Sequence, residues 1–67
     1  MSTVTDAREF AARKLAISRM IAAGDRAHAK QAHRLAARLY HQGASVDKAA
    51  RLAAAAIAAQ HGQGGAA

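Results

Sequence analysis

Cysteine, proline and tryptophan are absent from this chain of 67 residues, which holds one phenylalanine, one tyrosine and four acidic residues. Without cysteine there is no disulfide framework, no thiolate zinc site and no cysteine nucleophile, and the chain is compatible with a reducing compartment. The near absence of aromatic rings argues against reading single strands or RNA bases by stacking; Tyr40 is expected at the edge of the core. The longest apolar run, Leu52–Ala59, has eight residues, mostly alanine, far short of a bilayer span. The N-terminus has no basic head followed by an apolar stretch, so the expected location is cytoplasmic, with no membrane partner. No glycine-rich phosphate loop occurs, and Ser18 and Ser45 have no Asp–His partners at motif spacing. The chain therefore reads as a non-enzyme without cofactor.

Alanine supplies 22 residues, leaving 13 larger apolar side chains, or 12 without Met1. So thin a core leaves a solitary globule of this size marginal, and self-association or a folding partner is expected. The ten Lys and Arg residues give a formal net charge of +6, which points to an anionic partner.

The expected fold class is all-α. Alanine is the best helix former, and only seven residues are β-branched. Glycine stands at Gly24, at Gly43 and in the tail, which divides the chain into helices over about 6–23, 25–42 and 45–60. Ser2, Thr3 or Thr5 is expected to cap the first, Asp25 to start the second and Ser45 to cap the third. A lead-in over 1–5, one helical domain over 6–61 and a flexible glycine-rich tail over 62–67 complete the organisation. Short connections favour a small antiparallel bundle or a helical hairpin, completed by oligomerisation.

At about 100° per residue, Phe10, Ile17 and Ile21 form one apolar stripe on the first helix, with Val4, Leu15 and Ala22 a second patch about 120° away. With Leu35 and Leu39 on the second helix and Leu52 and Ile57 on the third, the stripe is the expected core or interface. The stretch Leu39–Ala53 has the glycine turn that opens a helix-turn-helix. Ala54–Ala59, however, continues the same helix where a second turn and recognition helix belong, and this excludes the motif.

The acids Asp6, Glu9, Asp25 and Asp47 all fall at predicted helix starts, where capping and the helix dipole explain them. Between Asp25 and Asp47 there is none, and that stretch carries Arg26, Lys30, Arg34 and Arg38 four residues apart. A solvated helix face more often mixes signs, because like charges at that spacing destabilise. A bare Arg/Lys face is the plain reading; the missing acids favour a ridge that contacts phosphates. Arg19, Lys48 and Arg51 are candidates to extend it. The four histidines lack metal-site spacing, so no metal is expected, although protonation of His28, His33 and His41 would strengthen anion binding. The expected partner is nucleic acid, duplex DNA first, with an acidic protein surface as the alternative and a homo-oligomer in either case.

Overall fold

A computed structural model describes residues 3–61. Three helices pack against one another, α1 (Thr3–Ala22), α2 (Ala29–His41) and α3 (Val46–Gln60), with a 3-10 turn at Arg26–His28 ahead of α2. There is no strand among the described residues. Glu9, early in α1, meets His41 at the end of α2, and Gln31, early in α2, meets His61 just beyond α3. Neighbours in sequence are therefore antiparallel, α1 and α3 run the same way, and the result is an up-down-up bundle.

Glycine ends two of the helices. Gly24 (φ 87°) donates its N–H to the Ile21 carbonyl at 2.9 Å while Asp25 N–H reaches Met20 at 2.9 Å. Gly43 (φ 110°) repeats the arrangement, its N–H on Tyr40 at 3.0 Å and that of Ala44 on Leu39 at 3.1 Å. Both are Schellman caps, whose left-handed residue is least costly as glycine. Ser45 caps α3 as expected, its hydroxyl accepting from Lys48 N–H at 3.2 Å.

Two boundaries differ. Helix α1 already includes Thr3, because neither proline nor glycine stands ahead of it to stop propagation, and Thr3–Thr5 are not a lead-in. Ser2 and the tail 62–67 lie outside the described residues, as do the side chains of Val4 and Asp6. The second helix begins at Ala29, not at 25. The Asp25 carboxylate makes no cap hydrogen bond and instead accepts from His28 Nδ1 at 2.8 Å, closing a tight 3-10 turn.

The core is a seam of alanines. Ala12, Ala16, Ala32, Ala36, Ala49, Ala50 and Ala53 are all at 0% exposure, and among the described residues Met20 is the one large side chain buried as completely. Ile57 (5% exposed) belongs to this core as expected, and Ile17, Leu35 and Leu39 pack against it half-buried. Phe10 (54% exposed), Ile21 (45%) and Leu52 (46%) do not. The cause lies in how α1 meets two neighbours at once. The helix packs on α2 and α3 together. The line it turns between them is Ala12, Ala16 and Met20, so the Phe10–Ile17–Ile21 stripe and Leu15 fall on either side of it. Alanine on the inner line lets helix axes approach toward the lower end of the usual range of about 8–10 Å.

Candidate nucleic-acid interface

Helix α2 is the most strongly divided of the three. Ala29, Ala32 and Ala36 face inward; Lys30, Arg34 and Arg38 are exposed on the opposite side with Gln31, His41 and Gln42. The three bases span about 12 Å of axis and advance about 40° per step, winding across the outer face. Arg26 is exposed too, but it sits on the 3-10 turn. The helical row is thus three residues long, with the fourth base offset at its start. Arg34 and Arg38 also border a recess of about 210 Å³ between α2 and α3, with Leu35, Ile57 and Gln60.

The placement of the acids sharpens this surface. Asp47 accepts from Arg51 Nε at 2.8 Å, Asp25 from His28, and Glu9 from His41 Nε2 at 2.9 Å with Arg13 at 3.7 Å. Each described carboxylate is therefore engaged by a base other than the four of the row, although Glu9, through His41, reaches the C-terminal end of the same face of α2. Among the described residues, none of Arg26, Lys30, Arg34 and Arg38 pairs with an acid. Glu9 lies in the second turn of α1, not the first, and ties α1 to α2 instead of serving the helix start. Asp25 likewise closes a turn instead of capping a helix.

The three proposed extensions do not form one continuous patch with the row. Arg19 and Arg51 border a separate recess of about 620 Å³ between α1 and α3, walled by Met20, Ala54 and Ala58. Arg51 is moreover held by Asp47. Lys48 is exposed on α3, about 60° around the helix from Arg51.

The histidines act mainly as ties between elements. His28 and His61 stack face to face, centroids 3.6 Å apart at 4°, while His61 Nε2 donates to Gln31 Oε1 at 2.8 Å. The acceptors at Asp25, Glu9 and Gln31 require the facing ring nitrogens to carry hydrogen. Apart from Asp25–His28, three residues apart, these pairings join residues some thirty positions apart, and nothing in the sequence pattern signals them. Partial burial pushes the His33 imidazole below its ordinary value of 6.5, and the guanidiniums of Arg13 and Arg34 push the same way against Glu9. His33 therefore gains its charge only at lower pH than first expected of it. Tyr40 is half-buried, its ring edge-on to His41 at 5.8 Å.

Among the described residues no helix is long and apolar enough to cross a membrane. Comparison with protein-family models, with curated proteins and with solved structures gives no match.

Proposed function

We propose that this protein binds nucleic acid, duplex DNA first, mainly through phosphate contacts, in an accessory, regulatory or architectural role in the cytoplasm and in a self-associated form. The observation that carries this reading is the exposed row of Lys30, Arg34 and Arg38, preceded by Arg26, with no carboxylate partner among the described residues. Such contacts position a protein on the duplex without reading its sequence. With about four phosphates neutralised, log K should fall against log salt with a slope of roughly −4.

Fluorescence anisotropy with labelled duplexes of unrelated sequence tests this directly. Arg34→Glu should weaken binding to all of them alike and flatten the salt slope. No binding at about 50 mM salt, where phosphate contacts are strong, refutes the reading.

A second reading is favoured by Phe10, Leu15, Ile21 and Leu52, all large, apolar and exposed. In it the chain is a helical adaptor or inhibitor that packs these faces on another protein, with the basic row steering it to an acidic surface. Purified protein that carries no nucleic acid but retains a defined protein partner would decide for it.

A further inference from the structure

Helix α1 has an outer face unlike those of the other two helices. Taking Ala12, Ala16 and Met20 as the inward line, the sector within about 60° of the opposite direction begins, among the residues whose side chains are described, at Ala7. It then takes in Phe10, Ala11, Lys14, Ser18, Ile21 and Ala22, every one of them exposed. Lys14 is its one charge. The corresponding sector of α2 holds Lys30, Arg34, Arg38 and no apolar side chain, and that of α3 mixes Lys48 and Arg51 with alanines, with the exposed Leu52 and Asp47 just beyond its two edges. The other exposed bases of α1, Arg8 and Arg19, lie off this face, about 100° and 120° around the helix from its centre; Arg8 lines a recess against the α2–α3 connection and Arg19 one against α3. A helix that is apolar on its solvent side as well as its core side is expected to be covered on both.

We infer that this face of α1 is covered by the same face of a second copy, with the two α1 helices antiparallel. The inference rests on the self-association in the proposed function and names the surface that mediates it. Charge is the first ground. Two chains of formal net charge +6 repel one another, and the outer face of α1 is the one on which they meet with fewest charges between them. An acidic partner would be drawn to α2 instead.

Self-complementarity is the second ground. Phe10 and Ala22 lie six residues either side of Ala16, Ala11 and Ile21 five, and Lys14 and Ser18 two. An antiparallel pair crossing at Ala16 therefore brings Phe10 of each copy within one residue's rise, about 1.5 Å, of Ile21 of the other along one edge of the face, with Ala11 and Ala22 along the other edge. Lys14 lies level with Ser18 and not with the other Lys14. Its Nζ extends over its own Phe10 ring, 5.6 Å from the centroid. The strip is only about 24 Å long and 10–12 Å wide, well below the area of a standard stable interface, so the dimer should be weak and dissociate on dilution.

Sedimentation equilibrium of nuclease-treated protein at high salt, over about 5 to 300 µM so as to follow dissociation on dilution, tests this. The wild type should rise from 6.9 kDa toward twice that mass. Ile21→Lys and Ala11→Lys, both on exposed positions, should stay at 6.9 kDa with unchanged helical circular dichroism. Lys14→Leu should move the midpoint to several-fold lower concentration. A wild type that remains at 6.9 kDa throughout overturns the inference. So does a doubling that survives in both Lys variants with the same midpoint. Arg34→Glu separates the two proposals, because it should weaken DNA binding and leave the mass rise intact. A dimer that binds no DNA refutes the nucleic-acid reading alone, and DNA binding by a permanent monomer refutes this one alone.

Discussion

The alanine seam makes a prediction opposite to the one that side-chain size would suggest: enlarging Ala16 should be more damaging than deleting Phe10. Ala16 is at 0% exposure on the inner line of α1, packed with Met20 and the alanines of α2 and α3. Ala16→Leu adds three carbons where the helices are held close by the absence of side chain. Overpacking costs about 1–3 kcal/mol, and a seam this small should place it near about 3. A fully buried Phe→Ala costs about 3–5 kcal/mol. Phe10, however, is 54% exposed, so less than half of that applies. Alanine also regains about 0.5 kcal/mol of helix propensity, leaving a net cost near 1 kcal/mol. Domains of this size have roughly 3–10 kcal/mol in all, so Ala16→Leu removes a large fraction. Urea unfolding followed by circular dichroism, in dilute protein where single copies prevail, reads the difference. With a slope of about 1 kcal/mol per molar, the midpoint should drop by about 3 M for Ala16→Leu and about 1 M for Phe10→Ala. If Phe10→Ala, Ile21→Ala or Leu52→Ala lowers the midpoint more than Ala16→Leu does, the alanine seam is not the core and the packing described is wrong.

Met20→Ala, which empties a large side chain buried to 1%, should cost about 2–5 kcal/mol by the same urea assay and leave little folded protein at 37 °C. Gly24→Ala and Gly43→Ala meet no atom within 4 Å, so each should cost only the backbone penalty of about 1–2 kcal/mol for a left-handed residue; asparagine at either position should recover part of it. His33, with its pKa held down in the fold, binds its proton less readily than the unfolded chain does. Stability should therefore fall as pH drops below about 6.5, and go on falling until the folded pKa is passed. His33→Gln should flatten that part of the profile, and NMR titration should find the His33 ring titrating below 6.5.

Local signals in the sequence were sufficient for the number of helices and for the ends at Gly24, Gly43 and Ser45. Gly24, Gly43 and Ser45 act through their own backbone and hydroxyl groups, and the structure places two Schellman caps and a serine cap there. The continuation of α3 through Ala54–Ala59, which excluded a recognition helix, holds for the same reason. Asp25 was misread because a carboxylate at a helix start can cap the helix or bind a nearby imidazole, and His28 three residues later took it. That choice displaced Arg26 from the helical row. Arg19 and Arg51 could not be placed from sequence, since which base shares a face with α2 depends on where α1 and α3 lie.

By itself, the sequence determined three helices, the ends set by Gly24, Gly43 and Ser45, and a basic middle segment free of acids, because propensity, capping and charge spacing act within a few residues. Only the tertiary structure decided which line of each helix turned inward. Ranking by side-chain size selects Phe10, Ile17 and Ile21, but a helix wedged between two others must bury the line between its two contact flanks. On α1 that line is Ala12, Ala16 and Met20. The smallest side chains form the centre because they let three helices approach, and the larger ones are left on the outside, where Phe10 and Ile21 form a face for association.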